Sequence, residues 1–238
     1  MSALFEELAS SDTDVGTLSL RRRWESSHRL DVYEVKLGDE FLMSSLFTVA
    51  EIELARLGLA RTPGDQLDVV VGGLGLGYTA RAVLEEPRVR SMTVIDALHD
   101  VIDWHERDLL PDAVALTADP RTRLLHGDFF QLAASDDGFT SHDRVHAVLV
   151  DIDHTPHHVL DERNRSFYTP DGLRRLARHL HPGGVFALWS DDPPDTAFQA
   201  VLEQAFAHQE AHVVSFPNFY TGDESANTVY VATRAIDG

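Results

Sequence analysis

Apolar and polar residues alternate in the first part of the chain, in Thr17–Arg22, Leu30–Leu37 and Glu40–Met43, a period of two that predicts short strands with one inward face. Gly38-Asp39 between the last two predicts a hairpin turn. From Phe47 to Leu59 the spacing changes: Val49, Ile52, Leu54, Ala55 and Leu57 favour a helix, which Pro63-Gly64 ends. Beyond it the apolar residues gather into runs, Leu67–Val71, Ser91–Ile95, Thr122–Leu125, Ala147–Val150 and Val185–Trp189. Helical stretches beginning near Thr79, Val101, Phe129 and Asp171 alternate with them. A run such as His146-Ala-Val-Leu-Val150 has no wet face, so these strands are expected to be covered on both sides. A last run, Thr228–Ala232, preceded by a polar loop Thr221–Asn227, predicts an edge or antiparallel strand.

Strand-helix alternation predicts an α/β fold with a doubly wound, mostly parallel sheet. The pattern divides the chain into a small N-terminal β-hairpin region with its linking helix, 1–62, and an α/β domain, 63–238. A length of 238 residues suits one such sheet with a small appendage. The 43% hydrophobic and 25% charged fractions are those of an ordinary soluble globular protein.

Charge narrows the partners. With 39 acidic and 20 basic side chains the formal charge is −19, which repels phosphate and argues against nucleic acid and anionic membranes; a small, cationic partner suits it better. The short basic run Arg21-Arg22-Arg23 is expected to pair with this acidic surface. With no cysteine, disulfides, thiolate catalysis and cysteine-based zinc sites are excluded. Met1–Asp14 lacks the basic start and apolar stretch of a signal peptide, and no segment reaches membrane-spanning length, so cytoplasmic residence is expected.

In a doubly wound sheet, ligands bind beyond the carboxyl ends of the strands. After the first parallel strand comes Gly72-Gly73-Leu74-Gly75-Leu76-Gly77, where Gly73, Gly75 and Gly77 permit a tight turn and let backbone N–H groups approach a ligand. Asp96 follows the second strand, placed to accept hydrogen bonds from a ribose diol. After the third, Asp128 offers a carboxylate to an adenine amino group and Phe129 an aromatic face. After the fourth, Asp151 and Asp153 put two acids at the mouth where a reacting group would sit. Taken singly, Asp96 also reads as a helix cap and Asp128 as a turn residue. Together, in order along successive strand ends, they predict a nucleoside site. Gly75-Leu-Gly77-Tyr-Thr-Ala80 also satisfies a dinucleotide fingerprint, which keeps a dehydrogenase open, although pyrophosphate binding has no need of Asp128.

The stretch Val69–Gly77 with Arg81, Asp119-Pro-Arg121 before Gly127-Asp128, and Val150-Asp151 resembles spermidine synthase and its relatives over roughly residues 40 to 190. Phe41-Leu-Met-Ser-Ser45, Leu149–Asp153 and Trp189-Ser190 are similar to bacterial spermidine synthase-like proteins. The resemblance implies a Rossmann-like class I methyltransferase fold, decarboxylated S-adenosylmethionine or S-adenosylmethionine as donor, a small amine acceptor, and a homodimer. It places the ribose acid on Asp96, the adenine-side acid on Asp128 and the catalytic aspartate on Asp151, with Asp153 sharing that role. The departures lie on the acceptor side. Leu76 stands where the family carries an aspartate, His154 takes the place of a second loop aspartate, and the tyrosine-histidine-glutamate stretch is Val49-Ala50-Glu51. Aminopropyl transfer to a small amine is the leading expectation. Methyl transfer from S-adenosylmethionine also stays open, with or without a divalent metal held by Val150–Asp153 and Trp189–Asp192, as does a cofactor-binding protein without activity. No residue is assigned as a metal ligand, and His154, His157 and His158 are expected to be exposed side chains.

Overall fold

The computed structural model describes residues 5–13, 16–111, 113–139 and 144–236. Part of the Met1–Asp14 stretch, residues 1–4 and 14, lies outside the described residues. Four strands, β1 (Phe5–Thr13), β2 (Gly16–Glu25), β3 (Leu30–Leu37) and β4 (Glu40–Ser44), form an antiparallel meander in that order. Leu18, Leu20, Val32 and Val35 make its buried face. The hairpin region is thus a four-stranded sheet. Its first strand has no clear alternation; main-chain pairing holds it to β2, assisted by Arg22–Glu6 at 2.5 Å and Arg21–Glu7 at 3.6 Å. Arg23 reaches Glu25 and Glu34, each at 2.7 Å, so the basic run is matched by acids as expected.

Then follow α1 (Val49–Arg61), β5 (Leu67–Gly72), α2 (Tyr78–Glu85), β6 (Val89–Asp96), α3 (His99–Glu106), α4 (Ala113–Thr117), β7 (Thr122–His126) and α5 (Phe129–Ala134). The remaining elements are β8 (Val145–Val150), a 3₁₀ turn at Glu162–Ser166, α6 (Pro170–Arg178), β9 (Leu180–Ser190), α7 (Thr196–Leu202), β10 (His208–Pro217) and β11 (Glu224–Thr233). The large sheet has seven strands in the order β10-β11-β9-β8-β5-β6-β7. Neighbours from β9 through β7 are parallel, β11 is antiparallel to β9, and β10 is antiparallel to β11. This is the Rossmann-like class I methyltransferase fold.

Alternate residues of each central strand feed opposite layers. Val69, Val71, Leu149 and Ala187 pack with α1 and α2, while Val70, Val148 and Phe186 pack with α6 residues Leu173 and Leu176. Helix α1 lies directly on the sheet, because Gly58 has no side chain: a Cβ there would come within 2.7 Å of Leu149 Cδ2. The linking helix is therefore a layer of the α/β core. Helix α6 starts where Thr169 accepts a hydrogen bond from Gly172 N and Pro170 occupies the first turn.

The last strand begins earlier than its apolar run. Residues 224–227, expected in a loop, pair with β10, and Asn227 Nδ2 donates to Asp191 Oδ1 at 2.7 Å. Among the described residues no helix is long and apolar enough to cross a membrane.

Candidate active site at the carboxyl ends of the strands

Strand order reverses at β5: the chain passes from β5 outward to β6 and β7, then returns to β8 on the other side. The resulting crevice opens at Gly72 and Val150, which pair in register. The glycine-rich loop starts there. Gly73 adopts φ 92°, and a Cβ on it would lie 2.1 Å from the Asp151 carbonyl oxygen, so only glycine allows the loop to approach β8 this closely. Gly73 N donates to Ile95 O at 2.9 Å and Gly77 N to Leu74 O at 2.8 Å, closing the turn into α2. Leu74 and Leu76 turn inward and join the core.

Asp96, half-buried at the end of β6, grips this loop. Its Oδ2 accepts from Leu74 N at 2.9 Å and its Oδ1 from Leu98 N at 2.8 Å. Burial pushes its pKa up against these backbone donors. The Gly75 backbone is a further donor to it, and the carboxylate's remaining lone-pair capacity is what a ribose hydroxyl could use. Asp128 is exposed at the start of α5, where Oδ1 accepts from Gln131 N at 3.0 Å, and Gly127 N donates to Asp96 O at 3.0 Å. Asp96 and Asp128 thus stand at neighbouring strand ends, Asp128 as the N-cap of α5 and Asp96 bonded to the loop that leads into α3.

Phe129 is placed otherwise than expected. Its ring is 2% exposed, stacked on Phe139 at 5.2 Å and edge-on to Phe130 and Phe167. A Cβ on Gly72 would come within 2.7 Å of it. The ring supports the base of the glycine loop from inside the core and has no open face for an adenine.

Asp151 N donates to Gly72 O at 2.8 Å, which locks the end of β8 to the loop. The Thr79 hydroxyl, in the first turn of α2, lies 3.0 Å from Asp151 Oδ2 and 3.2 Å from the Glu51 carbonyl oxygen. Glu51 enters from the first turn of α1. Burial pushes the Asp151 carboxyl up to about 6, and burial together with the Asp151 charge pushes Glu51 up to about 8. The two titrate as a pair: the first proton leaves Asp151 beside a neutral Glu51, and the second leaves Glu51 against an ionised Asp151.

Asp153 does not share this mouth. It is 1% exposed, and it accepts from Leu160 N at 2.7 Å, Tyr168 Oη at 2.8 Å and Asn164 Nδ2 at 3.1 Å. The carboxylate ties the loop after β8 to the segment before α6, which also buries Phe167 and Tyr168. With these internal donors on it, the carboxylate stands apart from the mouth where a second reacting acid was expected.

Asp191 is bound to Asn227, and among the described residues no group of three or more His, Asp or Glu side chains is arranged to hold a metal. His157 and His158 are exposed and His154 half-buried; His154 lies 3.4 Å from Glu40, and His157 lies 2.5 Å from Asp195. Asp119-Pro-Arg121 forms a bracket away from the crevice: Arg121 bonds Asp119 and reaches Leu84 O at 3.0 Å, tying β7 to α2. Thr79 had no role in the sequence reading. The available signal was a hydroxyl in the helical turn just after the glycine loop.

No protein-family model matches the chain. In sequence it is similar to "Polyamine aminopropyltransferase 2" of Pseudomonas aeruginosa, 28% identical over 64% of this chain and 43% of that protein. It is also similar to "Polyamine aminopropyltransferase" of Bacillus subtilis, 24% identical over 71% of this chain and 59% of that protein. The chain therefore spans about half the length of these relatives. In structure it is similar to spermidine synthase from Thermotoga maritima, with TM-score 0.71 and 16% identity, covering 97% of this chain and 73% of that one. A spermidine synthase structure in complex with the transition-state analogue AdoDATO gives the same TM-score, 0.71, identity, 16%, and coverage, 97% and 73%.

Proposed function

We propose that this chain is a spermidine synthase-like transferase that binds decarboxylated S-adenosylmethionine in the crevice between the glycine loop, Asp96 and Asp128, and transfers its aminopropyl group to a small amine. The observation that carries this reading is Asp151, half-buried at the switch point, with Thr79 on one oxygen and a pKa raised toward neutrality by burial. The named relatives support the same chemistry.

The residues fit an adenosyl sulfonium. The bare Cα positions of Gly73 and Gly75 let the loop pack against Asp151 and Met43 at the head of the crevice, Asp96 stands for the ribose hydroxyls, and Asp128 for the adenine amino group. The donor supplies a carbon made electrophilic by its bond to positive sulfur. Asp151, ionised at neutral pH beside a neutral Glu51, orients the incoming amine and accepts its proton as the new N–C bond forms. The C–S electron pair departs with the sulfur, leaving methylthioadenosine. Thr79, donating to Oδ2, holds the carboxylate so that one oxygen faces the acceptor.

Leu76 favours a second reading, methyl transfer from S-adenosylmethionine. It is 5% exposed in the core where the resembling family keeps an acid, so the loop has no charge there to attract an aminopropyl ammonium or repel the carboxylate of the undecarboxylated donor. Cytoplasmic residence and a homodimer go with the family resemblance, and sedimentation of the purified chain tests the dimer.

The test of the catalytic assignment is Asp151→Asn, which keeps the shape and removes the base. Turnover with an amine acceptor is expected to fall by about 10²–10⁴ with donor affinity little changed. Unchanged turnover would remove Asp151 from the chemistry.

A further inference from the structure

The glycine loop is held at a second point by a side chain outside the crevice. His105 lies on the buried side of α3, 2% exposed, with Nε2 at 2.9 Å from the Gly75 carbonyl oxygen. A carbonyl can only accept, so Nε2 carries the proton. Nδ1 is then a bare lone pair, buried and without a hydrogen-bond partner among the described residues. Burial lowers the pKa of the ring and keeps it neutral. The same ring meets Gly77, where an added Cβ would lie 2.9 Å from Cε1. The imidazole therefore touches both glycines that flank Leu76.

The consequence follows from the peptide plane. In a trans peptide the carbonyl of Gly75 and the N–H of Leu76 point in opposite directions. Drawing that carbonyl toward α3 turns the Leu76 N–H away from α3. Gly75 sits at φ 47° with no Cβ, a position from which a peptide can flip at little cost. Asp96 restrains the preceding residue through Leu74 N, and His105 restrains the next peptide.

We propose that His105 is a positioning residue for the nucleoside donor: its Nε2–H fixes the Gly75–Leu76 peptide so that the Leu76 N–H is held in the binding orientation. The inference rests on the donor site proposed above. His105 itself touches neither donor nor acceptor.

The test is calorimetric titration of methylthioadenosine into the wild type, His105→Leu and His105→Gln, with the thermal midpoint of each measured without ligand. Glutamine puts an amide N–H near the place of Nε2 and keeps the donor, whereas leucine removes it. The leucine variant is expected to bind about tenfold more weakly, and glutamine to restore binding to within about threefold, since one hydrogen bond accounts for such a factor. In turnover, the loss falls on the KM for the donor and kcat at saturating donor is retained. If His105→Leu does not fold, His105→Asn serves the same comparison, because its shorter amide stops short of Gly75.

Equal affinity of the leucine variant and the wild type would overturn the proposal. Equal weakening in leucine and glutamine variants of matched stability would also overturn it. A wild type that binds neither methylthioadenosine nor either sulfonium donor would instead defeat the donor site, and the proposal with it.

Discussion

Asp151 and Glu51 make an asymmetric pair, and the asymmetry sets a pH dependence. Activity is expected to rise with pH through about 6 as Asp151 loses its proton, and to change again near 8 as Glu51 ionises beside it. Glu51→Gln should abolish the upper step and leave the lower one, as read from kcat/KM between pH 5 and 9. Stability has its own sign. Glu51 holds its proton more tightly folded than unfolded, so its contribution is full below about 4.5 and is lost as pH rises through about 8. Glu51→Gln should therefore melt at a higher temperature than the wild type at pH 9, and a lower midpoint would contradict the burial of that carboxylate. Asp153 behaves differently, because its contacts are internal. Asp153→Ala leaves Tyr168 Oη and Leu160 N without their acceptor and is expected to cost about 2–4 kcal/mol in urea unfolding. Its effect on donor affinity should be smaller than its effect on stability.

At the scale of elements, the glycine loop is the part whose shape is least negotiable. Gly73→Ala would drive a Cβ to 2.1 Å from the Asp151 carbonyl oxygen at a φ of 92°, so the loop must leave β8. Donor binding, measured by titration, should fall by at least tenfold, together with a drop in thermal midpoint. The turn itself was legible in the sequence because glycines after a buried strand permit a tight turn, and only the acids at the later strand ends set it apart from a packing turn. The strands from Leu67 to Val150 were legible for a similar reason, being buried on both faces and hence continuously apolar. Strand β1 was not, since its stability comes from pairing and cross-strand charge rather than from an apolar face. Strand β10 escaped as well: His208, Glu210 and His212 alternate with half-exposed residues on a sheet edge, and the pattern resembles a solvated segment.

At the scale of the molecule, the proposed site is where two layers meet. The parallel sheet supplies Asp96, Asp128 and Asp151 in chain order, and that much could be read from strand ends alone. The layer above supplies Glu51 from α1, and Met43 of β4 lies where a Cβ on Gly75 would come within 2.7 Å of its sulfur. Those long-range contacts have no local signature. Asp153 and Phe129 show the converse limit, because each follows the expected site acid by one or two residues and yet points into the core. The donors to Asp153 and one ring partner of Phe129, Phe167, come from the segment Leu160–Tyr168, which sequence spacing does not bring to them.

The central claim is that the crevice takes an adenosyl sulfonium. Parallel calorimetric titration with decarboxylated S-adenosylmethionine, S-adenosylmethionine, methylthioadenosine and NAD tests it most directly. The account predicts binding of the adenosyl sulfur compounds at one site per chain, tightest for the decarboxylated donor, and loss of that binding in Asp96→Ala. Binding of NAD alone, or of none of the four, would contradict it.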